Sequence, residues 1–323
     1  MSQPTQSQVH VDAALTDFSI AYIQEDKNFI AGQVFPAKPV QHQSDKYFVF
    51  NKDDWRRDDA VKKRAPGEQA PRSGFRLGAD SYMADSWWTA VPISDLLKRN
   101  ADPVLGSLDQ AATQLVTQRM LIRRELEFVS SYFTTGVWAT DKVGGTDFTV
   151  WDDYASDPQR DIQRGQAKIL QETGQMANCL TVGFRVHQAL KRHPLVKDMY
   201  KYVSEASITE AMIARAFELD KYVVSKASYN TNAEGATVVT SFAAGANAML
   251  TVSNDAPSIM TPCAGAIYDW AGLNVAQQSG VAIDQYFDID TKDDIVRGEF
   301  AYDMKCTGTD LGYFFSGAIA DNT

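Results

Sequence analysis

The residues most able to do chemistry are few and lie far apart in the sequence. The histidines are His10, His42, His187 and His193, and the cysteines are Cys179, Cys263 and Cys306. His187 and His193 are six residues apart, so a helix would not place both imidazoles on one face. No Cys-x-x-Cys pair occurs, so the thiols do not match a zinc ribbon or a redox motif. The sequence therefore predicts free thiols and no metal centre.

A group of carboxylates near the end of the chain is the next candidate for chemistry. It comprises Asp288, Asp290, Asp293 and Asp294. The spacing has a slight similarity to a calcium loop, but Asp293 stands where such a loop needs glycine. The glycine-rich phosphate loops, the hydrolase nucleophile elbow and the zinc-protease helix motif are also missing. We therefore expect no enzymatic activity and no cofactor, and we interpret these carboxylates as a solvated surface.

Composition restricts the class of protein further. The chain has 323 residues, of which 44% are hydrophobic and 22% charged, and its formal net charge is -10. This is a globular composition, sufficient for one large domain or two smaller ones. A general nucleic-acid binder would need a basic face, although a protein can enclose nucleic acid without gripping it. We expect no membrane span and no secretory leader, because the sequence has neither pattern, and we expect an aqueous, cytoplasmic setting.

The longest helical pattern in the sequence covers residues 102–134. Apolar and small residues recur at helical spacing on one predicted face, namely Leu108, Ala111, Ala112, Leu115, Ile122, Leu126, Val129 and Phe133. Either Asp102 followed by Pro103, or Ser107, could cap its start, and Gly136 is the predicted stop. Roughly thirty residues would form a rod of about 45 Å. Arg119 interrupts the apolar stripe, so we predict an intersubunit or buried ion pair for it.

Residues 1–45 have the composition of an extended arm. A polar start leads into an apolar stretch that Pro36 and Pro39 prevent from being helical. Phe29 and Phe35 need a surface to lie on, yet the segment has too little apolar area to fold alone. The sequence therefore predicts that something outside the arm holds these two rings.

Residues 46–93 predict a long hairpin that projects from the body. Two β-prone runs, Tyr47–Phe50 and Ser81–Ile93, flank a charged stretch with Pro66 and Pro71. Residues 51–79 carry eight basic residues against five acidic ones. An isolated hairpin is marginally stable in water, so this one would need a partner. A plain solvated surface loop is the alternative.

The remainder predicts a mixed fold of the α+β class. Asp157 and Pro158 are typical of a helix start, and Gly174 of its end. Strands and helices alternate after residue 177, which favours an α/β subdomain there. Strands recur from Ile283 to the end of the chain. The arm, the hairpin and the long helix each extend further than a single folded domain could bury. This favours a subunit of an assembly.

The ordered set of motifs resembles the major capsid proteins of tailed bacteriophages, which share the Hong Kong 97-type fold. The stretches that carry the resemblance are Trp87–Asp95, Asn100–Pro103, Ala111–Glu127, Asn178–Gly183, Ala189–Pro194, Ser207–Phe217, Tyr222–Asn230 and Gly298–Ile319. They span nearly the whole chain. No single motif among them is diagnostic.

The resemblance implies a layout. Residues 1–45 would be the N-terminal arm and residues 46–93 the extended loop. Residues 94–176 would be the peripheral domain with its spine helix, residues 177–285 the axial domain, and residues 286–323 strands returning to the peripheral domain.

The resemblance also implies partners. Copies of the chain would assemble in the host cytoplasm as hexamers and pentamers of an icosahedral shell, the virion capsid, enclosing double-stranded DNA. A separate scaffold protein and a portal would take part, and decoration proteins are further candidate partners. An encapsulin-like nanocompartment shell is one alternative function, and a soluble α+β enzyme is a less favoured one.

Charge distribution adds a hypothesis about how neighbouring copies meet. Residues 268–323 carry ten acidic residues against three basic ones. The loop cations Arg56, Arg57, Lys62, Lys63 and Arg64 would then lie against Asp288, Asp290, Asp293 and Asp294 of an adjacent subunit. Phe29, Phe35 and Arg119 are the further predicted intersubunit contacts. Exposed ion pairs of this kind are each worth about 0–1 kcal/mol, so they would set register more than affinity.

Overall fold

The computed structural model describes residues 24–50, 74–100, 108–200, 208–233, 235–256, 261–273, 277–278 and 281–320, together with Asp54, Arg56, Asp58, Val61, Lys63, Pro66, Gly67, Gln69 and Arg72. The helices in these residues are α1 (Ala31–Val34), α2 (Asp95–Asn100), α3 (Leu108–Tyr132), α4 (Pro158–Thr173), α5 (Phe184–Arg192), α6 (Pro194–Tyr200) and α7 (Glu210–Ala216). Short 3-10 turns cover Asp26–Asn28, Ala271–Leu273 and Thr309–Leu311. None of the described helices is long and apolar enough to cross a membrane.

The strands form two main sheets. The first contains β1 (Ala37–Val40), β4 (Asp85–Ser94), β11 (Gly265–Trp270), β12 (Gln277–Gln278), β13 (Val281–Asp288) and β14 (Asp293–Cys306). The second contains β5 (Thr140–Val143), β6 (Cys179–Gly183), β7 (Lys221–Ser225), β10 (Ala248–Thr251) and β15 (Gly312–Ser316). One hydrophobic core continues through both sheets. The α+β prediction is therefore confirmed.

Two small two-stranded sheets stand apart from the main ones. The strands β2 (Ser44–Phe50) and β3 (Leu77–Met83) form an antiparallel pair, which we call the ribbon. The strands β8 (Ser228–Asn230) and β9 (Thr240–Phe242) form the other pair. The predicted second hairpin strand, Ser81–Ile93, is divided at Ala84. Its first part belongs to the ribbon, whereas β4 pairs with β14 in the six-stranded sheet. The extended-loop boundary at residue 93 is therefore too late.

The two main sheets do not follow the predicted domain boundaries. The strand β15 was expected in the peripheral domain, but it pairs with β5 and β10 in the five-stranded sheet. The strand β11 and the first five residues of β13 fall within the predicted axial residues, yet both strands pair with β14 in the six-stranded sheet. Boundaries drawn along the chain do not predict the sheets, because each sheet contains strands from distant segments. A sequence pattern does not show such pairings.

The helix α3, the spine helix, lies over the six-stranded sheet with a face that matches the predicted one only in part. Its buried residues are Ala112, Val116, Met120, Leu121, Glu125 and Phe128. Leu115 of the predicted face is 43% exposed. A Cβ atom at Gly298 of β14 would lie 2.3 Å from Val116 Cγ1 and 2.8 Å from Met120 Sδ, so the helix packs directly on the sheet backbone there. The helix ends at Tyr132, before the predicted stop at Gly136, and both predicted starts lie outside the described residues.

The helix α4 agrees with its sequence signals. The Asp157 side chain accepts a hydrogen bond from the Arg160 amide, Pro158 is the first helical residue, and Gly174 ends the helix with a left-handed φ of 73°. The buried side of α4 packs on the five-stranded sheet, where Gly165 approaches Leu250 and Tyr313. Local capping signals were sufficient here because every one of them is contained in the helix and its two flanking residues.

Candidate assembly interface

The described part of the arm, residues 24–40, lies across its own subunit. Phe35 is 0% exposed, and its ring centroid is 5.1 Å from that of Phe128 and 5.0 Å from that of Tyr132. Phe29 is 6% exposed and packs with Leu121 and Ala227. The prediction that Phe29 and Phe35 contact a neighbouring subunit is therefore wrong for this conformation, because the chain's own core covers both rings.

Polar contacts fix the same segment at several points. The Gln24 side chain exchanges hydrogen bonds with the backbone of Ser228 at 2.6 and 3.0 Å. The Ser253 hydroxyl donates to the Val34 carbonyl at 2.9 Å. The strand β1 then pairs in parallel with β11, with Ala37 opposite Ile267. The arm thus contacts β8, the segment after β10 and the strand β11 along its length.

A buried carboxylate that sequence reasoning missed holds the middle of the arm. Glu125 of the spine helix is 1% exposed, and its Oε2 atom accepts the amides of Ile30 at 2.9 Å and Ala31 at 3.0 Å. Its Oε1 atom lies 3.4 Å from the Ser225 hydroxyl at the end of β7. Burial raises the pKa of Glu125 to about 7.

The ribbon is attached to the body by a stack of tyrosines at its base. The Tyr82 ring lies 4.5 Å from that of Tyr268 at an interplanar angle of 8°, and Tyr47 stacks 5.6 Å from the same ring. The Tyr47 hydroxyl donates to Asp80 at 2.9 Å. Burial and this carboxylate raise the pKa of Tyr47. The Met83 amide donates to Asp303 of β14 at 2.9 Å. These contacts fix the direction in which the ribbon leaves the body.

The opposite face of the ribbon exposes apolar side chains. Phe48 is 63% exposed, Leu77 48% and Met83 61%. Phe48 is paired with Ala79, so its side chain lies on the same face as those of Leu77 and Met83. We call these three side chains the ribbon patch. A soluble protein seldom leaves such a cluster uncovered on a projecting element, so the patch indicates an interaction surface.

The predicted basic loop is described only in part. Arg56 is exposed and donates to the Gln171 carbonyl of α4 at 2.7 Å. Lys63 is exposed. Arg57, Lys62 and Arg64 lie outside the described residues. The position of Arg56 places this part of the loop beside α4.

The predicted acidic partners lie near the turn between β13 and β14. Asp294 forms an ion pair with Lys98 at 2.5 Å, and Lys98 also pairs with Asp109 at 2.6 Å. Asp288, Asp290 and Asp293 have no lysine or arginine partner within the described residues. Phe287 is 52% exposed and Ile289 79%. The turn therefore presents carboxylates and apolar groups together, with Asp294 already neutralised in its own subunit.

Arg119 does not behave as predicted within the subunit. It is exposed on the spine helix, and it has no ion-pair partner among the residues that the structure describes. The prediction of a buried ion pair is therefore wrong, and an intersubunit contact stays a prediction.

Comparison with known proteins identifies the fold. No protein-family model and no curated protein matches the sequence. A phage-related protein from Bordetella bronchiseptica RB50 matches with a TM-score of 0.68 and 21% identity, over 96% of this chain and 97% of that one. The capsid structure of cyanophage P-SCSP1u matches at 0.60 and 10% identity, over 93% and 90% of the two chains. The capsid of Myoviridae phage XM1 matches at 0.56 and 12%, over 98% and 99%.

These likenesses cover between 93% and 98% of this chain. The chain therefore has the Hong Kong 97-type fold of tailed-phage capsid proteins, as its sequence resemblance implied.

Proposed function

We propose that this chain is a major capsid protein of a tailed bacteriophage. Copies of it would assemble as hexamers and pentamers into an icosahedral shell that encloses double-stranded DNA. The observation that carries the proposal is the ribbon, which pairs with no other strand in the described residues and exposes Phe48, Leu77 and Met83. A two-stranded element of this kind would gain further stability against a partner, and a second copy of the chain is the partner that a closed shell supplies.

The mechanism of such a protein is mechanical. Each interface is weak, and symmetry repeats it until many contacts close a container. The tyrosine stack at Tyr268 holds the ribbon at a defined angle, so that each copy would present its ribbon patch to a neighbour in the same way. The ordering cost of this contact is reduced because the ribbon is formed before it binds.

The interior of the shell would be suited to releasing its content. A net charge of -10 keeps nonspecific affinity for DNA low, so the genome would be packed without being gripped. A scaffold protein, a portal and decoration proteins are proposed as further partners, with assembly in the host cytoplasm and the virion as the final location.

Expression of the chain, alone and with a candidate scaffold protein, followed by electron microscopy of the purified material tests the proposal. We expect closed shells of uniform diameter. A homogeneous monomer that forms no shell under either condition, at high concentration and across salt and pH, would contradict it.

An encapsulin-like nanocompartment is the second candidate. The virus-like particle from Pyrococcus furiosus matches with a TM-score of 0.50 and 9% identity, over 88% of this chain. Nuclease treatment of particles from infected cells separates the two functions. A phage capsid would protect long double-stranded DNA, whereas a nanocompartment would hold a protein cargo and no genome.

A further inference from the structure

Glu125 lies where three separate parts of the fold meet. The spine helix supplies the carboxylate, the arm supplies the amides of Ile30 and Ala31, and β7 supplies the Ser225 hydroxyl. Ile30, Ala31 and Ser225 are each at most 1% exposed. Water therefore does not reach the carboxylate while the arm is in place.

The groups in contact with this carboxylate donate hydrogen bonds to it. None of these contacts is an ion pair that would neutralise its charge. The arm and β7 contribute only uncharged donors to its contacts. Arg124, the preceding residue on the helix, is the charged group that acts on it, and that effect is smaller than those of burial and of the two amides. An unpaired charge in such a site is costly, so the protonated form is favoured here.

The geometry accommodates the proton on one oxygen. The Oε2 atom accepts both arm amides in either protonation state. A proton on Oε1 would be donated to Ser225 Oγ, whereas the ionised form would accept from that hydroxyl instead. Loss of the proton therefore leaves the number of hydrogen bonds unchanged. It places an uncompensated negative charge under the arm.

We propose that Glu125 is a proton-controlled latch that holds the arm segment Phe29–Phe35 on the subunit and weakens its hold when the carboxyl ionises. Release of the segment would expose Phe29 and Phe35, which the docked arm buries. The inference concerns the subunit itself and does not depend on the proposed function.

The direction of the pH effect follows because Glu125 binds its proton more tightly when the arm is docked than when the arm is released. Because the pKa of Glu125 is raised from 4.5 to about 7 when the arm covers it, docking is strongest below about pH 4.5. It weakens as the pH rises from there to about 7 and is constant above that. One proton is released in this window, so the docking equilibrium changes by up to about tenfold per pH unit.

Hydrogen–deuterium exchange of the whole purified chain, corrected for intrinsic exchange rates, tests the latch. In the wild type, protection of residues 29–35 should fall between pH 5 and pH 7 by about tenfold per unit. Glu125→Gln keeps an acceptor for the amides and a donor for Ser225, so its protection should be independent of pH. Glu125→Ala should lose protection of this segment at every pH.

Glu127→Gln is the matched control. Glu127 lies two residues further along the same helix and accepts a hydrogen bond from the Tyr302 hydroxyl at 2.7 Å. This variant should retain the wild-type pH profile at residues 29–35. The latch is refuted if wild-type protection is independent of pH, or if Glu125→Gln retains the wild-type profile. The Gln variant decides the matter even if the Ala variant does not fold.

Discussion

The arm and the ribbon are neighbouring segments of the chain, yet they are held in opposite ways. Both segments were predicted to need a surface beyond themselves. The arm finds it inside its own subunit, where Phe35 is fully buried among Phe128, Tyr132 and Trp138. The contacts that the structure describes between the ribbon and the body include the tyrosine stack and the hydrogen bond from Met83 to Asp303, while Phe48 and its neighbours are exposed.

The difference comes from where each segment finds backbone partners. The strand β1 of the arm pairs with β11, and the backbone amides of Ile30 and Ala31, at the start of α1, donate hydrogen bonds to Glu125. The backbone groups of the two ribbon strands form hydrogen bonds mainly with each other. A lack of apolar area in a segment therefore shows that a partner is needed but does not show which chain provides it.

Truncation of Phe35 gives the largest expected effect. Phe35→Ala removes a ring that is 0% exposed and that fills the space above Gly265. We expect a loss of about 3–5 kcal/mol in the free energy of unfolding, since the cavity cannot be refilled from the arm. Urea denaturation of the dissociated subunit measures it. Phe48→Ala, on the exposed ribbon, should change the same quantity by about 0.5 kcal/mol or less. Equal effects of the two substitutions would remove the contrast between the segments.

The sequence predicted those parts of the fold whose signals are local. Asp157, Pro158 and Gly174 mark the helix α4 correctly because each acts within one turn of it. The spine helix was found for the same reason, but only part of its buried face was assigned correctly. Leu115 was expected inside and is half-exposed, whereas Val116 and Met120 are buried because Gly298, far away in sequence, leaves space for them.

The candidate interface could be predicted to a similar extent. Charge counts located an acidic segment but could not show that Asp294 is already paired with Lys98. Glu125 could not be recognised either, because a glutamate that directly follows two arginines is typical of an exposed helix surface. Its role depends on amides of the arm 94 and 95 residues away, which no local pattern records.

Polar substitution of the ribbon patch should separate assembly from folding. Phe48→Thr, Leu77→Thr and Met83→Thr together keep β-prone residues while removing exposed apolar area. We expect the unfolding free energy of the subunit to be nearly unchanged. Shell formation should fall by at least about tenfold, since each buried side chain of this kind contributes about 1.5–3 kcal/mol. Sedimentation velocity measures the fraction assembled.

A matched control for the ribbon lies in another exposed loop. Val238 is 69% exposed and Val239 50%, between β8 and β9. Val238→Thr with Val239→Thr should assemble as the wild type does. Full assembly of the ribbon variant, or equal loss in both variants, would show that the ribbon patch is not a specific contact.

Charge reversal of the extended loop is expected to have the smallest effect of the three. Exchange of Arg56, Arg57, Lys62, Lys63 and Arg64 for Glu would oppose the carboxylates of an adjacent copy. Each exposed pair is worth only about 0–1 kcal/mol, so assembly should become slower and require more salt, while the subunit stays folded. Light scattering during assembly at several salt concentrations measures this.

Compensating reversals determine whether the loop cations meet the predicted partners. Asp288→Lys, Asp290→Lys and Asp293→Lys, added to the reversed loop, should restore the assembly rate if these groups face each other between copies. Asp294 is left unchanged because its carboxylate already binds Lys98. Normal assembly of the reversed loop at low salt would show that the cations serve only their own subunit, as the contact of Arg56 with Gln171 does. A defect that the second set of reversals does not relieve would place the partners of the loop cations elsewhere on the neighbour and exclude these three carboxylates.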